Sequence, residues 1–435
     1  MSLRTSINQA LRAGYLLLLM GGLLLSSGCA RPQAGDETRS PDMRAAVAVT
    51  DITPPEGYSQ YRGESTGTKT PLRAKALVFE QGDERAALVV CDLIRITRDL
   101  SAEVRTIASA ETGIAYKNII VTATHTHTGP EYRYTLADYV NRKAAGELTA
   151  EDKDSYSATL VRHVAQAVID ANDSTGPVQL QTATGQARGV SFNRRFLMKN
   201  GRVIMNPGSG NPDIVQPMGP IDPDVTTLMI RGAADNGPLA ALTVFANHLD
   251  TVGGTQWSAD YPYFLAQTLK EELGEDFVSV FGLGTCGDIN HVDVSSSPSP
   301  TTKEIGNTLG TVVKQELPNL QDLQEPSLAI RSKTIYPPMQ SYSEKELAWA
   351  QNETDAALYE QRRARFRRYK ILNLKSKRER GLAVPPTIAG ESWTLPMEVQ
   401  VVRLSTDAAI VALPGEVFVE LGLAIKERSP FATTQ

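Results

Sequence analysis

Five histidines stand in this 435-residue chain, and four of them (His125, His127, His248 and His291) follow apolar runs beside turn residues. The first two lie in Ile119-Ile120-Val121-Thr122-Ala123-Thr124-His125-Thr126-His127-Thr128-Gly129-Pro130. The β-branched run reads as a strand, and Gly129-Pro130 as the turn that ends it. In extended backbone, residues i and i+2 point to one side, so both imidazoles are aimed into one space. His248 ends the run Leu242-Thr243-Val244-Phe245-Ala246-Asn247 in the same way, ahead of Gly253-Gly254. A third run, Ala409-Ile410-Val411-Ala412-Leu413, passes through Pro414-Gly415 to Glu416. Three strand ends therefore offer imidazoles and a carboxylate. Two imidazoles and one carboxylate, with a position left open, are the ligand set of a catalytic zinc site. Histidine as a satisfied core hydrogen-bonder is the plainer alternative. His163 falls inside a helical pattern and reads as an ordinary surface or boundary residue.

A glycine-rich run, Gly282-Leu283-Gly284-Thr285-Cys286-Gly287-Asp288-Ile289-Asn290-His291, follows a short apolar strand at 278–281. Its glycines allow close backbone approach to a ligand, and N–H groups exposed there would steady an oxyanion. A tight turn is the alternative. No helix opens directly after it, so it is not a dinucleotide-binding fingerprint.

The elements that must position these groups alternate in type. Strands are expected at 74–80 and 86–92 around Gln81-Gly82-Asp83, and at 118–124. Two more pairs flank Asp235-Asn236-Gly237-Pro238 (225–230, 239–246) and Ser405-Thr406-Asp407 (397–404, 408–413). Helices are expected at 101–111, capped by Ser101 and stopped at Gly113, at 155–172, and at 261–273 between Pro262 and Gly274. This mixture predicts an α/β (mixed α+β) body, a layered mixed β-sheet with flanking helices. Residues 343–380 read as one long charged helical arm, and 361–380 holds ten Lys or Arg against one acid, Glu379. A solvated arm is the expected reading, with contact to anionic headgroups or an acidic polymer as the alternative.

Apolar residues at 41% and charged residues at 21% exclude wholesale disorder. Lys plus Arg at 44 against Asp plus Glu at 49 gives a net charge of −5, which excludes a general nucleic-acid binder. Three cysteines cannot build a disulfide framework. Cys91 and Cys286 read as buried thiols, or as a pair if the fold joins them. Arg4, Arg12, the apolar run 13–25 and the small residues before Cys29 describe a secretory signal over 1–28. Leu25-Ser26-Ser27-Gly28-Cys29 resembles a bacterial lipobox with Cys29 as the lipidated residue. An ordinary signal with an incidental cysteine is the alternative. Lipidation implies a membrane anchor rather than a span. It places the chain at the bacterial cell envelope, the outer membrane before the inner, because Ala30-Arg31 carries no acidic retention signal. Residues 29–45 read as a tether and 46–435 as one large domain with 343–380 inserted.

Taken in order, these segments resemble the neutral/alkaline (non-lysosomal) ceramidase family in its N-terminal catalytic domain. Val47-Ala48-Val49-Thr50 leading into Asp51-Ile52-Thr53-Pro54-Pro55-Glu56-Gly57 is similar to the family's opening strand and proline turn. Thr124-His125-Thr126-His127-Thr128-Gly129-Pro130 is similar to its most specific motif, and Phe192-Asn193-Arg194 to its Asn-Arg motif. Asn247-His248 with Ser258-Ala259-Asp260, Gly287-Asp288-Ile289-Asn290, and Leu413-Pro414-Gly415-Glu416 are similar to three further segments. The resemblance implies that His125, His248 and Glu416 bind one zinc ion and that Arg194 lines the site and steadies an oxyanion. It implies that His127 transfers a proton or orients substrate, and that Asn193, Asp260 and Asp288 line the site. Asn290 stands where the family carries an essential serine; it offers an amide donor and no hydroxyl. The family's further zinc ligand, a tyrosine downstream of the glutamate, and its C-terminal domain are expected to lie outside this chain, as in a shortened relative or an interrupted reading frame.

The expected function is a zinc-dependent, ceramidase-like hydrolase of a C–N amide bond, in which metal-activated water attacks an N-acylsphingosine-type or other N-acyl substrate. Two alternatives stand beside it. One is a non-catalytic, metal-binding envelope lipoprotein that keeps the scaffold, and the other is a hydrolase of a different amide or ester.

Overall fold

The structure is a computed structural model and describes residues 42–295, 298–359, 361–387 and 391–435. The signal-like stretch 1–28, Cys29 and most of the tether lie outside the described residues. The tether's last two residues, Arg44 and Ala45, open the first strand.

The main sheet contains β1 (Arg44–Asp51), β2 (Arg73–Gln81), β3 (Glu84–Cys91), β4 (Ile119–Ala123), β5 (Gly176–Gln186), β6 (Asp224–Gly232), β7 (Pro238–Phe245) and β8 (Val278–Leu283). Their spatial order is β8-β7-β6-β5-β1-β2-β3-β4, with the short strand Gln321–Asp322 added on β5. The helices are α1 (Arg98–Thr112), α2 (Arg133–Ala145), α3 (Tyr156–Asp173), α4 (Tyr261–Leu273), α5 (Thr302–Glu316), α6 (Glu344–Asn352), α7 (Arg362–Glu379) and α8 (Val419–Arg428), with the single turn Ala150–Asp154 before α3. Pairing is antiparallel through the middle of the sheet and parallel at both ends, β3 with β4 and β7 with β8. Parallel neighbours need a crossover, which α1 and α4 supply.

The two halves of the sheet meet where Arg44 and Ala45 pair with Pro177 and Gly176 and the Val178 N–H donates to the Met43 carbonyl at 3.0 Å. Strand β2 shows how the halves pack. Its Ala74, Ala76 and Val78 lie in one buried cluster with Leu100, Val104, Leu160 and Val164 from α1 and α3. The alternate residues Leu77 and Phe79 lie in a second cluster with Leu228, Leu242 and Val280 from the other half-sheet. Each such large side chain contributes roughly 1.5–3 kcal/mol on burial. The outer face of β6–β8 meets α4 and α5 through Met229, Ala241, Phe281, Leu265 and Leu309. Two half-sheets face each other inside two helical layers, so the expected layered α+β body forms.

A second sheet, β9 (Ala329–Ile335), β10 (Met397–Arg403), β11 (Ala408–Ala412) and β12 (Thr433–Thr434), closes the central cluster with Ile330, Val402 and Ile410. This sheet carries the hairpin expected around Ser405-Thr406-Asp407.

Two local expectations change, and the cysteines fall as buried thiols. Helix α1 begins at Arg98, because the Thr97 hydroxyl accepts from the Leu100 N–H, while Gly113 closes it in the left-handed region as expected. The single arm at 343–380 is two helices: Glu353 leaves helical backbone at φ −80°, ψ 155°, next to Asn352 and Thr354, whose side chains favour helix exit. Cys91 and Cys286 are separate, buried free thiols, each pushed up by burial. No helix among the described residues is long and apolar enough to cross a membrane.

Candidate metal centre

His125 does not sit on a strand. Strand β4 ends at Ala123, and His125 has φ 70°, a left-handed conformation that costs a non-glycine residue roughly 1–2 kcal/mol. Hydrogen bonds hold it there: its N–H donates to the Leu93 carbonyl at 2.9 Å and its ring Nδ1 to the Ile94 carbonyl at 2.6 Å. The Thr126 and Thr128 hydroxyls donate to the Ser258 carbonyl at 2.6 and 3.0 Å, and the His127 N–H donates to the Leu249 carbonyl at 2.9 Å. This turn brings the His127 Nε2 to 3.3 Å from the His125 Nε2. The two rings converge as expected, but through a sharp reversal of the backbone and not through strand alternation.

His248 follows β7 and is buried. Its Nδ1 donates to the Cys286 carbonyl at 2.9 Å, and its Nε2 lies 3.2 Å from the His125 Nε2. The Glu416 Oε2, on the Pro414-Gly415 turn after β11, reaches to 3.5 Å from the His248 Nε2 and 3.8 Å from the His125 Nε2. A backbone carbonyl only accepts, so the ring proton of His125 and of His248 is on Nδ1. In the neutral imidazoles both Nε2 atoms then carry lone pairs, and two lone pairs facing each other at 3.2 Å repel unless a cation lies between them. Tetrahedral zinc, with ligand bonds of about 2.0–2.2 Å, places neighbouring donor atoms roughly 3.3 Å apart. The donor set therefore fits a divalent metal ion. His125, His127 and His248 present their ring nitrogens within 4.8 Å of one another, so the cluster includes one imidazole more than the ligand trio implied by resemblance.

Burial, then the neighbouring His248, lowers the pKa of His125. Burial, then His125, takes His127 down to about 4. The His248 ring holds the Glu416 carboxyl down at about 2, although that side chain is 57% exposed. The Arg194 Nη2 donates to the Gly287 carbonyl at 2.8 Å, lies 3.2 Å from the His248 Nε2, and is 3.8 Å from Glu416. Its Nε is buried without a hydrogen-bond partner. Arg194 thus puts a fixed cation beside the facing imidazole nitrogens and the Glu416 carboxylate.

The remaining expected site residues brace this arrangement. The Asn193 side chain donates to Pro220 and to Asp288, and the other Asp288 oxygen accepts from the Val419 N–H at the start of α8. Asp260 caps α4 and accepts from the backbone N–H groups of Thr251, Val252 and Tyr261, fixing the segment just after His248. Asn290 is buried in the short pair Phe192–Asn193/Ile289–Asn290; its amide donates to Asn206 and its oxygen accepts from Val292. The N–H groups of Gly284 and Gly287 donate to the Phe245 and Val417 carbonyls, so these two glycines do not offer the free oxyanion donors expected of them. Their value is closeness: a Cβ on Gly287 would stand 2.3 Å from the Glu416 carbonyl oxygen. His163 is exposed on the solvent side of α3, bonded to the Asp51 carbonyl.

Two neighbours escaped sequence reasoning. The Asp250 Oδ1 bonds the His291 Nδ1 at 3.2 Å, and the His127 and His248 rings help hold the Asp250 carboxyl down at about 2, against burial, along with that hydrogen bond. Asp250 stands two residues after His248, a spacing that could have flagged it. The Tyr61 ring packs edge-on to His127 at 5.9 Å, from a short hairpin with no signal in the sequence.

Residues 46–289 match the family model described as neutral/alkaline non-lysosomal ceramidase, N-terminal. The chain is 25% identical over 275 residues to the neutral ceramidase of Mycobacterium tuberculosis, covering 59% of this chain and 40% of that protein. It is 24% identical over 250 residues to neutral ceramidase B of Dictyostelium discoideum, covering 54% of this chain and 32% of that one. The matched stretches thus span less than half the length of either relative. In fold it resembles the crystal structure of neutral ceramidase from Pseudomonas aeruginosa, with a TM-score of 0.61 at 16% identity over 91% of this chain and 66% of the other. A ceramidase structure complexed with C2 gives a TM-score of 0.60 at 17% identity, covering 91% of this chain and 68% of that one.

Proposed function

We propose a function from this premise: the chain belongs to the neutral/alkaline non-lysosomal ceramidase family. It acts as a zinc-dependent hydrolase of an N-acyl lipid of the ceramide type. The reaction adds water across the amide C–N bond and gives a fatty carboxylate and an amine. The observation that carries the reading is the trio of facing Nε2 atoms, two of them with their Nδ1 protons engaged by carbonyls, beside the carboxylate of Glu416.

His125, His248 and Glu416 would hold the ion. When bound, a divalent cation supplies Lewis acidity and brings the pKa of water to about 7. Arg194 is placed to stabilise negative charge developing on the amide carbonyl oxygen. His127, with its pKa at about 4, is neutral at pH 7 and able to accept a proton. Asp260 and Asp288 orient the segments that carry His248 and Glu416. The same reading keeps the chain at the bacterial cell envelope through a lipid on Cys29, supported by the lipobox-like sequence.

The test is metal analysis of the purified protein beside His125→Ala and His248→Ala, with turnover measured on short- and long-chain N-acylsphingosines. Near-stoichiometric zinc in the parent, lost in both variants, with turnover abolished in Glu416→Gln, is the expected result. Equal metal content in all three proteins overturns it. One observation favours a second, binding-only reading: Asn290 has no hydroxyl, and both of its polar atoms are engaged. Any turnover by the parent that vanishes in Glu416→Gln rejects that reading.

A further inference from the structure

We propose that the outward face of α7 is a docking surface for a lipid bilayer carrying anionic headgroups. Residues 361–380 concentrate ten cations and one acid in a chain of net charge −5. The structure sorts these cations by side. Inward, Arg367 pairs with Glu346 of α6 at 2.6 Å, Arg368 pairs with Asp355 at 3.1 Å, and Arg378 stacks over Tyr342 and Trp393. Ile371, fully buried, fixes which side faces in. Outward, Arg363, Lys370 and Arg380 are exposed and have no acidic partner among the described residues. Arg363 and Lys370, seven residues apart, lie on one stripe of α7, and Arg380 stands at its C-terminal cap. Phe366, between them on the same stripe, is 57% exposed, and the neighbouring Tyr369 is 51% exposed while its side chain hydrogen-bonds Arg133 of α2.

A solvated arm needs no half-exposed aromatic rings set beside its cations. Cations alternating with exposed aromatics are the composition of an interfacial helix, in which rings enter the headgroup layer and cations meet lipid phosphates. The stripe continues onto the body through Arg98 and Arg133, whose charges, with that of Arg380, help hold Lys377 below its ordinary value after burial. Arg133 stacks on Tyr134, another exposed aromatic at 68%. Arg98 opens α1 four residues after Ile94, whose carbonyl orients His125, so the surface adjoins the segment that holds the metal centre. A flat anionic surface is favoured over a nucleic acid. A bilayer meets this one face, whereas a flexible polyanion would also meet the net negative charge of the rest of the chain.

The experiment is co-flotation of the full chain carrying Cys29→Ala, so that no acyl group contributes, with phosphatidylcholine vesicles with and without phosphatidylglycerol. Partitioning is expected to rise with phosphatidylglycerol, to fall with added salt, and to drop by at least about tenfold in Arg363→Glu/Lys370→Glu/Arg380→Glu. The milder Arg363→Gln/Lys370→Gln/Arg380→Gln set is expected to give an intermediate loss. Lys117→Glu/Arg188→Glu/Lys303→Glu, an equal charge change at exposed positions outside the stripe, is expected to keep the parent's partitioning. The proposal fails if the α7 sets partition like the parent, if the control set loses as much, or if a single-stranded oligonucleotide binds the stripe more tightly than the vesicles do.

Discussion

An imidazole whose Nδ1 proton is held by a backbone carbonyl has one job left for its other nitrogen, and His125 and His248 are both in that state. The depressed pKa values then set how protons compete with a metal. A group whose pKa is lowered stays deprotonated, and so able to ligate, to lower pH than the free side chain. His125 lies below its ordinary value, His127 at about 4 and Glu416 at about 2. Bound metal is therefore expected to survive dialysis to lower pH than ordinary histidine pKa values would allow, and to leave as pH falls further. Metal content measured at stepped pH checks this, and half-release at pH 6.5 or above would contradict it. The roles of the two adjacent histidines separate in the same assay. His127→Ala is expected to keep stoichiometric metal and to lose turnover by about 10²–10⁴-fold, the range for a lost proton-transfer group. Loss of metal in His127→Ala would make it a ligand instead. At this scale the sequence was legible in residue type and in placement after apolar runs. It could not convey the φ of 70° at His125, because no residue type announces a left-handed histidine. It also passed over Asp250, since a lone aspartate after a strand is common.

At the scale of elements, the candidate metal centre depends on a close approach between two turns. Gly287 lies against the Glu416 backbone, and the Gly287 N–H donates to the Val417 carbonyl at 2.8 Å. A methyl group there would stand 2.3 Å from the Glu416 carbonyl oxygen, so backbone must move. Gly287→Ala is expected to destabilise the fold by about 1–3 kcal/mol. It should also weaken metal binding more than that global loss accounts for. Gly253→Ala, in the turn after His248, meets nothing within 4 Å and is expected to change neither property. Chelator competition and thermal unfolding of both variants measure the difference; equal effects would refute the close-approach argument. The hairpins around Asp235-Asn236-Gly237 and Ser405-Thr406-Asp407 were readable because their turn residues punctuate apolar runs. The two-residue pair Phe192–Asn193/Ile289–Asn290, which seats Asn193 and Asn290, was not, since two residues carry no periodicity. The start of α1 was misread because Thr97 and Ser101 are both competent caps and only packing chooses between them.

For the whole molecule, the three implied metal ligands come from three parts of one packed body. One half-sheet ends at His125, the other half-sheet delivers His248, and the second sheet delivers Glu416. The order of the strands was not legible, because the joint between the halves rests on pairings more than 130 positions apart in sequence. A metal ion at this centre would cross-link all three parts, so its binding and the docking of the second sheet are linked. Arg105 on α1, almost buried, donates to Glu398 on β10 at 2.7 and 3.3 Å and ties the second sheet to the main body. Removing it leaves a carboxylate without its charge partner and is expected to cost about 1–3 kcal/mol. Saturating zinc at 1,000 times Kd would contribute about 4 kcal/mol to the parent. Zinc is therefore expected to raise the parent's apparent Tm by several degrees and a chelator to reverse it. His248→Ala should show no zinc-dependent shift. Arg105→Ala should show a smaller shift than the parent as well as a lower metal-free Tm, because a second sheet less firmly docked holds Glu416 less firmly in place. A full-sized zinc shift in Arg105→Ala would mean that the Glu416 turn is positioned by its contact with Gly287 alone and not by the docking of the sheet that carries it.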